Sequence, residues 1–260
     1  MPRYRTLRSS LALLAPILFV CASSNAAQLD ARAALADAKL YFTAPLRWDA
    51  GDWGYFGTMA LAVAAAHEYD GNVRTHFGTT IATASKDPHS TRDWGPAFAM
   101  VGLTWATATL LDDRAGYEEG KAMIEAASFS AVTTEVFKLA AGRGRPFETS
   151  RVDRWREGGS SFPSSHASIT FAIGTVLAES GNEDYRWIRR ALGYGAASAV
   201  AYSRVHDGAH WLSDTVAGAA LGIATGRFVT RRADERSPPY AFGVQPVERG
   251  AMLTYTYIFD

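Results

Sequence analysis

Four apolar runs limit what this chain can fold into: residues 97–111 (AFAMVGLTWATATLL), 167–178 (ASITFAIGTVLA), 191–201 (ALGYGAASAVA) and 215–226 (TVAGAALGIATG). A helix that crosses a bilayer needs about 20 apolar residues, and each run stops short of that. Apolar runs of roughly 10–14 residues are more often helices buried in a protein core. The runs therefore predict a helical body. Helices are expected in an Ala-rich segment after residue 27, near 58–69, over 97–111 and 117–141, and at about 165–180, 185–202 and 210–231. Between the first two lies APLRWDAGDWGYFG, read as a loop rich in aromatics, Asp and Gly. Pro88 and Pro96 prevent a continuous helix through SKDPHSTRDWGP. The final residues change period. YAFGVQPV, a turn at ERG and AMLTYTYIF read as a β-hairpin, with Leu253, Tyr255, Tyr257 and Phe259 alternating against Thr254, Thr256 and Ile258. The expected fold class is all-α: one helical-bundle domain over 27–236, with a small C-terminal β-hairpin over 237–260 packed as an appendage.

Residues 1–26 are set apart. A basic MPRYRTLR, an apolar LALLAPILFVCA and a small-residue SSNAA have the layout of a secretory signal peptide cut after Ala26. The expected location is the periplasm or another exported compartment. The cut removes the chain's one cysteine, Cys21, and with it thiol and disulfide chemistry. It also removes Arg3, Arg5 and Arg8 but no acid, so 26 basic and 26 acidic residues become 23 and 26, a net charge of −3. A nucleic-acid binder needs a basic footprint, so no nucleic-acid partner is expected. Peripheral contact with a membrane stays open.

The longest irregular stretch, AAGRGRPFETSRVDRWREGGSSFPSS, is flanked by three unusual clusters. A connector this long in a small domain is usually functional or disordered. Lys138, Arg145 and Pro146 stand at its start, Pro163, Ser164, Ser165 and His166 at its end, and Ser203, Arg204, His210 and Asp214 further on. Each cluster has a structural reading. Lys and Arg near a helix C-terminus satisfy carbonyls and the dipole; Ser before a helix is a cap; His and Asp four apart form a surface pair. Together they suit an anion. Lys138, Arg145 and Arg204 offer three cations to phosphate oxygens, and Ser164 with the following helix amides offers a neutral mouth for them. His210 is placed for Asp214 to hold one ring nitrogen as N–H, leaving the other as a nucleophilic lone pair.

These clusters, in this order, resemble the type 2 phosphatidic acid phosphatase superfamily, which also holds class A acid phosphatases and vanadium haloperoxidases. Its first motif, Lys, six residues and Arg-Pro, is matched by Lys138, Arg145 and Pro146. Its second, Pro-Ser-Gly-His, is matched by Pro163, Ser164 and His166, with Ser165 in the glycine's place. Its third, Ser-Arg, five residues, His, three residues and Asp, is matched by Ser203, Arg204, His210 and Asp214. Serine at 165 can still present its amide to phosphate if its φ is negative.

The resemblance implies an exported phosphatase that hydrolyses phosphate monoesters through a phosphohistidine on His210, oriented by Asp214, with His166 protonating the leaving group. Lys138, Arg145, Ser164, Ser165 and Arg204 would bind the phosphate. No cofactor and no metal are implied. The substrate class stays open between a lipid phosphate and a small soluble phosphoester, with a lipid pyrophosphatase acting on undecaprenyl pyrophosphate as an alternative. A vanadate-dependent haloperoxidase and a non-catalytic anion-binding envelope protein are the remaining readings. His67, His76 and His89 lack partners at ligand spacing and read as structural or exposed; Asp112 and Asp113 read as solvated. His206 and Asp207 are candidates for shaping substrate entry, and the aromatics of RWDAGDWGYFG for a lipid-facing rim.

Overall fold

The computed structural model describes residues 31–83, 91–111, 113–181, 185–236, 240–247 and 250–257. The expected leader, its cut after Ala26, and His89 and Asp112 lie outside these residues. The helices are α1 (Ala31–Phe42), α2 (Ala50–His76), α3 (Gly78–Thr83), α4 (Gly95–Leu111), α5 (Arg114–Ala141), α6 (Ser165–Glu179), α7 (Arg186–His206) and α8 (Leu212–Arg236). Short 3₁₀ turns occupy Ala44–Arg47 and Thr91–Trp94. The fold class is set by these helices.

Helix α6 is the axis of the bundle. Its sequence, SHASITFAIGTVLAE, is apolar or small on every face, and a helix apolar all round belongs in a core. It is buried from Ser165 through Val176 and packs against α4, α5, α7 and α8. The main core joins Met123, Ala126 and Phe129 of α5 to Ile169, Ala172, Ile173 and Val176 of α6 and Val229 of α8. Helix α8 comes unusually close to α6 along a stripe of Gly218, Gly222 and Gly226. A Cβ on Gly222 would stand 2.3 Å from the Ser168 carbonyl oxygen. The stripe draws the start of α8 against the start of α6, and those two helix starts carry the second and third motifs.

Among the helix boundaries that differ from the sequence reading, two starts have a clear local cause. Residues 50–57 are helical, so α2 begins eight residues before the expected 58. Asp49 and Asp52 form a capping box: the Asp49 side chain accepts from the Asp52 amide (2.8 Å), and the Asp49 amide donates to Asp52 Oδ2 (3.3 Å). That local signal outweighs Gly51, Gly54 and Gly57. Helix α8 begins at Leu212 instead of 210, because the amides of Ala209 and His210 both donate to the Arg204 carbonyl (3.1 Å each) and hold the chain in a turn.

At the C-terminal end, Tyr240–Val247 pairs antiparallel with Gly250–Tyr257, Tyr240 facing Tyr257. Among the described residues no helix is long and apolar enough to cross a membrane. Large apolar side chains are nevertheless exposed on α4 (Phe98, Leu103, Leu110, Leu111) and α5 (Val132, Val136, Leu139).

Candidate active site

Three elements meet where α6 begins. The first is the C-terminal turn of α5, which carries Lys138 and ends at Gly142 in the left-handed region (φ 54°). The second is the connector 143–164, which folds back on that end: the Ser161 amide donates to the Arg143 carbonyl (2.9 Å) and the Gly159 amide to the Gly142 carbonyl (3.0 Å). Gly159 is required there, since a Cβ would stand 2.1 Å from the Arg143 carbonyl oxygen. The third is the turn from α7 to α8, which carries Arg204, His210 and Asp214.

The eight candidate catalytic and phosphate-binding residues, Lys138, Arg145, Ser164, Ser165, His166, Arg204, His210 and Asp214, are all buried. Ser164 caps α6. Its hydroxyl accepts from the Ala167 amide (3.4 Å), and its own amide donates to the Asp214 carbonyl (3.0 Å), which ties the second motif to the third. Ser165 takes a helical conformation; among the described residues Arg156 is the non-glycine with positive φ (58°). Its amide therefore stays available at the helix N-terminus, and its Oγ accepts from Lys138 Nζ. Lys138 also donates to Glu135 Oε1 at 3.0 Å. Burial lowers the Lys138 pKa, with Glu135 acting against it.

Arg145 reaches across to the third motif. Its Nη1 donates to the Ala209 carbonyl (2.8 Å) and lies 3.3 Å from His210 Nε2; its Nη2 donates to the Ser160 carbonyl (3.1 Å). Burial, then the Arg204 charge, pushes its pKa down to about 10. The cations are thus packed close enough to repel one another, an arrangement suited to an anion held between them.

His210 is fully enclosed. Its Nδ1 lies 2.7 Å from the Ser161 carbonyl oxygen, which can only accept, so Nδ1 carries the hydrogen and Nε2, on the Arg145 side, carries the lone pair. Burial, then Arg145, Arg204 and Lys138, hold its pKa well below the ordinary histidine value. This departs from the expected direct His210–Asp214 bond. Asp214 Oδ2 stands 3.7 Å from Nδ1, too far for a hydrogen bond, and the tautomer is set by Ser161.

Asp214 is instead the anchor of the turn. Its Oδ2 accepts from the Trp211 amide (2.9 Å) and the Ser161 hydroxyl, and its Oδ1 from Arg143 Nη1 (2.7 Å). Burial raises its pKa, while Arg143 and these donors act to lower it. By gripping Ser161, Asp214 positions the carbonyl that holds His210.

Several site residues escaped the motif reading. Arg143 is buried between the rings of Trp155 (4.4 Å) and Trp211 (5.2 Å), and donates to Asp214, Ser213 Oγ (2.7 Å), the Val152 carbonyl and Asp70 Oδ2 (2.7 Å). Asp70, on α2, also accepts from the Ser213 amide (2.9 Å). His67, read as structural or exposed, bridges Asp70 (3.1 Å) and Asp153 (2.9 Å). Asp93, in the Thr91–Trp94 turn, accepts from Ser203 Oγ (2.7 Å) and from Arg204 Nη1. Trp94 lies over the His166 ring at 4.2 Å between centroids. Only Arg143 carried a usable signal, an arginine between glycines inside the first motif.

The remaining candidates have local partners. Asp113 caps α5 through the Ala115 amide (3.0 Å), and His206 pairs with Asp207 (2.9 Å) at the end of α7. Trp48, Trp53 and Phe56 cluster together. Trp53 is seventeen residues before Asp70 on the same helix, about 25 Å at 1.5 Å per residue, so this cluster does not rim the site. Among the described residues, no three His, Cys, Asp or Glu side chains are grouped to hold a metal ion.

Comparison with known proteins agrees with the motif layout. Residues 120–238 match the PAP2 superfamily. A PA-phosphatase related-family protein of Dictyostelium discoideum is 30% identical over 123 residues, 41% of this chain and 45% of that one. The Lipid A 1-phosphatase of Porphyromonas gingivalis is 35% identical over 89 residues, 34% of this chain and 18% of that one. The chain therefore covers less than half the length of either relative. No solved structure gave a match. The matched segment spans α6 to α8 and most of α5, with Lys138, Arg145, Ser164, His166, Arg204, His210 and Asp214 inside it; over residues 120–238 the chain is similar to the PAP2 superfamily.

Proposed function

We propose that this protein is a PAP2-type phosphatase that hydrolyses phosphate monoesters, with His210 as the nucleophile. One observation carries the reading: a buried histidine, kept neutral with its lone pair on Nε2, faces Arg145 and lies in the field of Arg204 and Lys138.

In the proposed cycle the substrate phosphate sits among Lys138, Arg145, Arg204 and the amides at the start of α6, where cations and helix dipole both favour it. His210 Nε2 attacks phosphorus as the P–O bond to the leaving group breaks. His166 gives that oxygen its proton, so an alcohol departs and a phosphohistidine remains. The imidazole now carries positive charge, which the Ser161 carbonyl and the Asp214 carboxylate 3.7 Å away stabilise. A water then gives its proton to His166 and attacks phosphorus, the N–P bond breaks, and phosphate leaves. The fixed cations supply the electrostatic stabilisation of the transferring group.

For the substrate we favour a lipid phosphate. The exposed apolar side chains of α4 and α5 and the similarity to a Lipid A 1-phosphatase support it. Exported location and peripheral membrane contact belong to the same reading. The test is phosphate release by the purified protein from p-nitrophenyl phosphate and from dispersed phosphatidate. Release from neither ester would reject the phosphatase reading, and release from the soluble ester alone would reject the lipid preference.

A further inference from the structure

The turn Thr91–Trp94 lies outside the PAP2-matched segment, yet it touches two motifs at once. Asp93 is buried and divides its carboxylate between the adjacent Ser203 and Arg204: Oδ1 accepts from Ser203 Oγ (2.7 Å) and Oδ2 from Arg204 Nη1. The next side chain, Trp94, is also buried and lies over the His166 ring, with centroids 4.2 Å apart and planes 31° apart. Arg204 is a phosphate-binding cation in the proposed cycle and His166 its proton donor. Two consecutive residues on one turn therefore hold two working groups that come from different helices.

We propose that Asp93 and Trp94 are positioning residues of the phosphatase site: Asp93 fixes the Arg204 guanidinium for phosphate, and Trp94 fixes His166 for protonation of the leaving group. The inference rests on the phosphatase reading above. The physical reasons differ for the two residues. An arginine presents a planar fork whose use depends on its orientation, and a carboxylate on one edge fixes that plane while another edge serves an anion. An indole face restrains the imidazole plane and attracts a cation, so it favours the imidazolium that a proton donor requires.

The two roles separate experimentally because a good leaving group needs no proton. Wild type, Asp93→Asn, Trp94→Leu and Trp94→Phe are compared on p-nitrophenyl phosphate and on an alkyl phosphate such as hexyl phosphate, with inorganic phosphate as the competitive probe. Trp94→Leu is expected to lose at least about tenfold more kcat on hexyl phosphate than on the nitrophenyl ester, with Trp94→Phe restoring the ratio. Asp93→Asn is expected to raise KM for both esters and the inhibition constant of phosphate together, about tenfold, leaving the ratio of the two kcat values unchanged. A merely structural role would lower kcat on both esters alike and would leave KM and the inhibition constant of phosphate unmoved. Equal kcat losses on the two esters in Trp94→Leu would overturn the role of Trp94, and unchanged phosphate inhibition in Asp93→Asn that of Asp93. Should Trp94→Leu not fold, Trp94→Met, whose flexible unbranched chain adapts to an irregular gap without a π face, carries the same comparison. An inactive wild type would sink the phosphatase reading itself, whereas an active wild type with unaltered ratios sinks only this inference.

Discussion

Replacing Arg143 with methionine should cost this protein a large part of its stability. The guanidinium is fully buried and bonded at 2.7 Å to each of two carboxylates, Asp70 and Asp214, whose side chains are equally buried. Methionine fills the space of the aliphatic stem without the guanidinium, so the effect reports the lost charge together with the lost hydrogen bonds to Ser213 and Val152. Removing one partner of a buried ion pair typically costs about 3–5 kcal/mol, because the remaining charge has neither water nor counterion. Here two carboxylates are left, and the change should reach that range. For a domain of this size each kcal/mol moves the melting temperature by about 2–4 °C, so the expected fall is about 6–20 °C. The assay is thermal unfolding followed by circular dichroism at neutral pH, with Asp70→Asn and the double variant beside it. Asp70→Asn removes one stranded charge, so the double variant should lose less than the two singles together, by more than about 1 kcal/mol. A fall below about 2 °C in Arg143→Met, or strictly additive losses, would refute the reasoning.

Two further outcomes follow from the same physics. The folded chain keeps His210 neutral, because burial and three cations hold its pKa well below the ordinary value, whereas the unfolded chain protonates it near pH 6.5. Below that pH the unfolded state binds the extra proton, so stability should fall as pH drops, by up to about 1.4 kcal/mol per unit, and be flat from this group above it. His210→Gln should flatten that slope in urea titrations between about pH 5 and 6.5; parallel slopes would contradict the assignment. In the core, Gly222→Ala puts a Cβ 2.3 Å from the Ser168 carbonyl oxygen and should cost about 1–3 kcal/mol by overpacking. Gly195→Ala, with nothing within 4 Å, should gain about 0.5–1 kcal/mol, and urea midpoints that do not separate the pair would contradict the close α6–α8 contact.

What could be read from the sequence was what the chain specifies locally. Apolar runs of helical length announced α4, α6, α7 and α8, and the order of Lys138, Arg145, Ser164, His166, Arg204, His210 and Asp214 matched a family spacing. The early start of α2 was also local, in Asp49 and Asp52, but its three glycines masked it. The rest depends on contacts between distant segments. Asp70 meets Arg143 across 73 residues and Asp93 meets Arg204 across 111, and no periodicity records such pairings. The His210–Asp214 spacing suggested a direct bond. The turn through Ala209 and His210 instead gives the ring nitrogen to Ser161, a residue whose carbonyl no side-chain pattern could have shown.

The central claim is that phosphate passes through His210. The direct measurement is mass spectrometry of the protein quenched in alkali during turnover of p-nitrophenyl phosphate, where phosphohistidine survives. We expect one phosphoryl group, on the peptide containing His210, absent from His210→Ala, which also loses turnover. A phosphoryl group on another residue, or substantial turnover by His210→Ala, would contradict the account.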